Sequence, residues 1–200
     1  MAGAARVPFV GLTGGIAAGK SEALRALERA GAATLSSDDV VRELLTTGDV
    51  RDALVERFGD EVAPGGEVDR SAVAEVVFSD PKKREWLEGL LWPRVGERIA
   101  EWRDRLEEAD PRPRAAVVEV PLLFESGMEA VFDRTIAVIA DESVRSERAG
   151  ARGHSRVDER TSRQLSQEEK AQRADIVVRN DGSLDDLQRA LSSALGTMEP

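Results

Sequence analysis

One stretch limits what this chain can fold into more than any other: VPFVGLTGGIAAGKSEALRALERAGA, residues 7–32. VPFVGL (7–12) reads as a buried strand, and SEALRALERAGA (21–32) as a helix with Leu24, Leu27 and Ala30 on one face. Between them GGIAAGKS (14–21) satisfies G-x-x-x-x-G-K-[ST]. The glycines let the chain turn so that several backbone N–H groups face one point at the start of a helix, where the dipole also favours negative charge. Gly14, Gly15, Ile16, Ala17, Ala18, Gly19, Lys20 and Ser21 are therefore read as a nucleoside triphosphate cradle. Lys20 would bridge the β- and γ-phosphates, and the Ser21 hydroxyl would ligate Mg²⁺. The competing reading, a glycine-rich turn with an incidental lysine, does not account for the strand before the loop and the helix after it.

A strand that feeds a loop and then a helix opens a parallel α/β sheet, and the rest of the chain continues the alternation. ATLSS (33–37) is a second strand, with a helix after it from Asp38 or Asp39 that Ser37 or Asp38 would cap. RAAVVEVPLLF (114–124), RTIAVIA (134–140) and DIVVRN (175–180) are three more strands, and SLDDLQRALSSALG closes with a helix. Residues 49–110 read as helical throughout, with a kink or break expected at Pro93. The expected architecture is a five-stranded parallel sheet flanked by helices in one P-loop domain. Its core is 1–48, 111–144 and 174–200, with a helical acceptor-binding insert at 49–110 and an Arg-rich lid at 145–173.

The chain has 200 residues, no Cys, one His and a net charge of −10. That excludes disulfides and thiolate metal sites, and it argues against broad nucleic-acid binding. Arginines cluster between Arg145 and Arg163, which suits a small anionic partner. No signal peptide or membrane-length apolar run is read, so a cytoplasmic location is expected, with a monomer favoured.

A GTPase would carry N-K-x-D, and none is present. A short chain with a helical insert and clustered arginines suits a small-molecule kinase, whose lid excludes competing water. Transfer to a hydroxyl calls for a carboxylate near the acceptor oxygen. Asp38 is the first after the second strand, and carboxyl ends of parallel strands are where such sheets bind ligands. Capping of the next helix is its alternative role. Arg42, one turn on, would meet an anionic acceptor or be solvated, and Asp39 reads as helix surface.

Taken together, GLTGGIAAGKS, SDDVVREL, VPLLFE (120–125) and ADIVVRN (174–180) resemble the dephospho-coenzyme A kinases in order and spacing. VDRSAVAEVVFSDPKKREWLEGLLWP (68–93) and RTSRQLSQEEKAQRAD (160–175) are similar to the family's acceptor and post-lid segments. The resemblance implies transfer of the ATP γ-phosphate to the ribose 3′-hydroxyl of dephospho-coenzyme A, the last step of coenzyme A synthesis. It implies ATP and Mg²⁺ as cofactors, Asp38 as catalytic carboxylate, and Arg148 and Arg152 as lid arginines, with Arg160 behind them. It also implies Thr13 beside the catalytic Asp and Asn180 near the adenine. Pro121, Leu122 and Leu123 would line the acceptor side, unless they simply end a core strand. His154, inside the lid, reads as loop surface.

Some positions depart from the family's pattern. Ser36-Ser37-Asp38 stands for Asp-Ala-Asp, Glu119 for a frequent Asp, and Trp92-Pro93 for His-Pro. Ala17 is tolerable in the loop if its φ is negative. Glu22 would offer the phosphates only its backbone N–H, its carboxylate pointing away. Trp92 would either pack in the insert or reshape the acceptor pocket. These departures leave two other readings open: a related kinase for another nucleoside or pantetheine-like alcohol, and a nucleotide-binding regulatory protein without catalysis.

Overall fold

The computed structural model describes residues 6–78, 80–151 and 164–198. Two compact units result, one of Met1–Ser36 with Arg103–Pro200, the other of Ser37–Trp102.

The first unit is built on five parallel strands, β1 (Phe9–Gly14), β2 (Ala33–Ser36), β3 (Ala116–Glu119), β4 (Arg134–Ile139) and β5 (Ile176–Arg179), in the order β2-β3-β1-β4-β5. Its helices are α1 (Lys20–Arg29), α6 (Glu142–Ala151), α7 (Gln167–Arg173) and α8 (Leu184–Gly196). The central strand, β1, is buried at all six residues, which explains its near-continuous apolar run. Alternation along the strands then sorts the packing. Val10, Leu12, Val117, Ile136, Val138 and Val178 form one face, against Ala23, Ala26 and Leu27 of α1 and Leu187, Leu191 and Leu195 of α8. Each such fully buried aliphatic side chain contributes about 1.5–3 kcal/mol. On the other face a side chain at Gly11 would come within 2.9 Å of the Phe132 ring and 3.1 Å of Leu123, so both lie directly on β1. Leu123 is fully buried there, in the turn that follows β3.

The second unit holds α2, which starts at Ser37 directly from β2 and runs to Leu44, then α3 (Gly48–Phe58), α4 (Arg70–Phe78) and most of α5 (Pro81–Glu107). Leu91, Val95 and Ile99, four residues apart, are the buried stripe of α5. Phe58 meets Trp86 edge-on at 5.1 Å. Three expectations change here. Because Ser37 is the first helical residue of α2, neither it nor Asp38 is the cap, and Asp38 lies inside the first turn. α5 runs through Pro93 without a break. There the Arg94 guanidinium donates to the Leu90 carbonyl at 2.7 Å, a side-chain bond in the turn that the proline disturbs. Trp92 is 46% exposed, so it is not a core residue of its unit.

Candidate active site

The phosphate loop is shaped by contacts that leave no room for side chains. A Cβ on Gly14 would lie 2.2 Å from the Val138 carbonyl oxygen, and one on Gly19 would lie 2.2 Å from Asn180 Nδ2. Gly19 also takes φ 97°, a left-handed conformation that glycine adopts without strain. Ala18 turns its methyl into the core and closes a turn by donating its N–H to the Gly15 carbonyl at 3.2 Å. Ala17, contrary to the condition set from sequence, has φ 60°. An L-residue there costs about 1–2 kcal/mol. Glycine is freer in the unfolded chain by about 0.4–1 kcal/mol. The balance favours Ala17→Gly by about 0–1.6 kcal/mol, with a midpoint of about 0.8 kcal/mol, for which a thermal melt should rise by about 2–3 °C. A lowered melting point would show that the loop relieves the strain in another way.

Helix α1 begins at Lys20, and no side chain caps it at Gly19. The N-terminal end of the α1 dipole therefore faces the loop, the arrangement that favours anions. The Glu22 amide, however, is bonded to Gly19 rather than offered to phosphate as expected from sequence. Lys20 Nζ donates to the Gly14 and Gly15 carbonyls, each at 3.2 Å, which holds the ammonium at the mouth of the cradle. Ser21 is exposed beside it. The Glu22 N–H donates to the Gly19 carbonyl at 3.1 Å, while its carboxylate turns outward to Arg25 (3.1 Å) and Arg29 (3.3 Å).

Two residues from distant elements grip this loop. Asn180, buried after β5, donates from Nδ2 to the Ala18 carbonyl at 2.9 Å. Arg148 of α6 donates to the Asn180 carbonyl at 3.0 Å, with Nη1 3.7 Å from the Cβ position of Gly19. Arg145, not singled out from sequence, donates from Nε to the Ile16 carbonyl at 3.0 Å. Two guanidinium groups of α6 thus reach the phosphate loop and its clamp. Arg152, with Arg160 and His154, lies outside the described residues.

Thr13, fully buried, donates from Oγ1 to the Pro121 carbonyl at 3.4 Å. Pro121 and Leu122 are half-buried. The same carbonyl accepts from Lys170 Nζ of α7, at 2.5 Å, and Lys170 pairs with Glu125 at 3.1 Å. Burial pushes the Lys170 pKa below the ordinary lysine value, and the hydrogen bond and charge of Glu125 oppose that shift. On α7, Gln167 holds both polar backbone atoms of Ala140, at 3.1 and 2.8 Å. Sequence reading missed Gln167, Lys170 and Glu125. A run of Glu, Glu, Lys, Ala, Gln and Arg looks like a solvated helix, and only the Ser166–Glu169 capping box was a local signal there, for where α7 starts.

The second unit carries Asp38, Arg42 and Trp92. Asp38 is exposed in the first turn of α2, two residues beyond β2. Ser36, the last residue of β2, pairs in register with Glu119, which also faces Leu12. Arg42 is ion-paired with Asp39 on the exposed helix surface.

Comparison with known proteins gives a consistent result. The dephospho-CoA kinase family model matches residues 8–186. A dephospho-CoA kinase of Enterococcus faecalis is 34% identical, over 93% of this chain and 94% of its own. One of Deinococcus radiodurans is 38% identical, over 95% of this chain and 92% of its own. A Thermus thermophilus crystal structure, TT1252, superposes with a TM-score of 0.82 at 34% identity, covering 98% of this chain and all of that one. The dephospho-CoA kinase of Campylobacter jejuni, at 21% identity and a TM-score of 0.64, shares the fold. The changes at Ser36, Glu119 and Trp92 therefore fall within a family rather than outside it, and the regulatory reading without catalysis gives way. The chain belongs to the dephospho-CoA kinase family and is an ATP-dependent phosphotransferase.

Proposed function

We propose that this kinase phosphorylates the ribose 3′-hydroxyl of dephospho-coenzyme A, with the loop from Gly14 to Ser21 as the triphosphate cradle. The observation that carries the reading is the loop itself: glycines with no room for side chains, an uncapped α1 N-terminus and Lys20 at the mouth. The backbone amides of the loop and of the first turn bind the phosphate oxygens, and Lys20 offsets negative charge as the γ-phosphoryl group moves. Asp38 orients the acceptor hydroxyl and takes its proton from the 3′-oxygen. Arg148 and Arg152 act from a lid spanning 145–173, excluding water while the hydroxyl attacks. The helical insert, with Arg42 and Trp92, bears on the acceptor, as do Thr13, Pro121 and Leu122. Asn180 serves the nucleotide by holding the Ala18 carbonyl, and so the loop's shape.

The donor set suits Mg²⁺. No group of three or more acidic or histidine side chains that could hold a metal occurs among the described residues, so Ser21 offers a single hydroxyl ligand, as expected for an ion carried mainly by phosphates and water. Mg²⁺, when bound, would supply neutralisation of the phosphate charge. No helix among the described residues is long and apolar enough to cross a membrane. From its family we read the enzyme as cytoplasmic, with a monomer favoured.

The acceptor is tested by incubating the enzyme with ATP and Mg²⁺ beside dephospho-coenzyme A, adenosine and pantetheine in parallel. Turnover of dephospho-coenzyme A alone is expected. Turnover of another alcohol in its place would overturn the acceptor and point to the departures from the family pattern at Trp92 and at Ser36.

A further inference from the structure

We propose that Lys170 is a positioning residue of the kinase: paired with Glu125, it fixes the root of the phosphate loop and the segment after β3, and so sets turnover. The inference rests on the reading of Gly14 to Ser21 as the triphosphate cradle.

Lysine is almost never fully buried unless paired, yet the Lys170 side chain is 0% exposed. Its three ammonium protons meet three acceptors: Pro121 O at 2.5 Å, Glu125 Oε1 at 3.1 Å and Thr13 Oγ1 at 3.4 Å. Thr13 immediately precedes Gly14, and Pro121 lies two residues beyond β3. By occupying the Thr13 oxygen as an acceptor, Lys170 leaves that hydroxyl to donate to Pro121. One ammonium thus ties the end of β1 to the chain leaving β3.

The pair also reaches the lid side. Glu125 Oε1 accepts the Leu165 N–H at 2.8 Å, within the 145–173 segment read as the lid, while Glu125 Oε2 is buried with no hydrogen-bond partner among the described residues. Three residues before Lys170 on α7, Gln167 clips Ala140 and lies 3.2 Å from the Cβ position of Gly15. α7 thereby joins β1, β4 and the segment after β3 at the ends that carry the site. Apolar side chains of similar volume would fill this place at little cost in stability. What they would not do is hold two oxygens of different strand ends at a common point.

The test compares the double variant Lys170→Met with Glu125→Leu, the single variant Glu125→Gln, the wild type and Lys20→Met. Melting temperature, kcat, and KM for ATP and dephospho-coenzyme A are read for each. The double variant should stay folded and melt a few degrees lower, because the part-buried Leu165 N–H loses its acceptor. A misplacement of about 1 Å costs about 10²-fold in rate, so kcat should fall by about tenfold or more, with both KM values within about threefold. Glu125→Gln keeps an oxygen for Leu165 and Lys170, and should lose about three- to tenfold in kcat. Wild-type kcat in the folded double variant would overturn the proposal, leaving the pair a structural staple. If the double variant does not fold, Glu125→Gln decides alone, and unchanged kcat there overturns it. Unaltered kcat together with an unaltered KM for ATP in Lys20→Met would overturn the triphosphate reading itself, whatever the pair variants do.

Discussion

Replacing Asp38 by Asn should lower kcat by about 10²–10⁴-fold, the range for loss of a general base, with ATP affinity nearly unchanged. The amide keeps the size and position of the carboxylate and removes its capacity to accept a proton. Asp38 is exposed and lies in the first turn of α2, where a negative charge is worth about 0.3–1 kcal/mol against the helix dipole. The melting point should therefore drop only slightly while turnover collapses. The opposite pattern, a small loss of stability with full turnover, would make Asp38 a helix-start residue and nothing more. Titration of ATP binding beside the steady-state assay separates the two outcomes, because the base acts on the acceptor and not on the nucleotide.

The second large effect belongs to Lys20→Met, expected to cost about 10²–10³-fold in kcat, as for loss of one preorganised donor to developing charge. The ammonium is held by the Gly14 and Gly15 carbonyls at 3.2 Å each, so it is in place before any phosphate arrives. Methionine matches the length of the stem and leaves the loop's packing intact, since the glycine contacts to Val138 and Asn180 do not involve Lys20. Stability should therefore stay near that of the wild type. A raised KM for ATP with kcat preserved would mean that Lys20 binds the ground state and transition state alike. A lowered kcat marks it as acting on the transition state.

What could be read in the sequence follows the distance over which each feature is determined. The strand, loop and helix at 7–32 are local, and each segment carries its own signal: an apolar run, glycines, a helical stripe. The parallel sheet followed from four more such segments, and all five strands appear near their expected places. The start of α2 was misjudged by a residue or two because two serines and two aspartates in a row all suit a helix start. Pro93 was expected to disturb its helix, yet α5 continues, and no sequence rule shows that a neighbouring guanidinium bonds the Leu90 carbonyl. Ala17 adopts a conformation that its residue type disfavours, so propensity pointed the wrong way.

The site's wider support was hidden for a different reason. Lys170 and Thr13 are 157 residues apart, and Leu165 and Glu125 are 40 apart. Neither pairing leaves a periodic trace. Asn180 shows what resemblance leaves out. Family likeness implies a place near the adenine, and the structure adds a contact the sequence does not reveal: the side chain holds the loop's Ala18 carbonyl at 2.9 Å. Arg145 was visible only as one arginine in a cluster, until its bond to the Ile16 carbonyl distinguished it.

The most direct measurement is to incubate the wild-type enzyme with γ-labelled ATP, Mg²⁺ and dephospho-coenzyme A, and then locate the label in the product. The account predicts label on the ribose 3′-oxygen, released quantitatively by a 3′-nucleotidase and formed about 10²–10⁴-fold more slowly by the Asp38→Asn enzyme. Label found on the pantetheine hydroxyl, or only in inorganic phosphate, would contradict it.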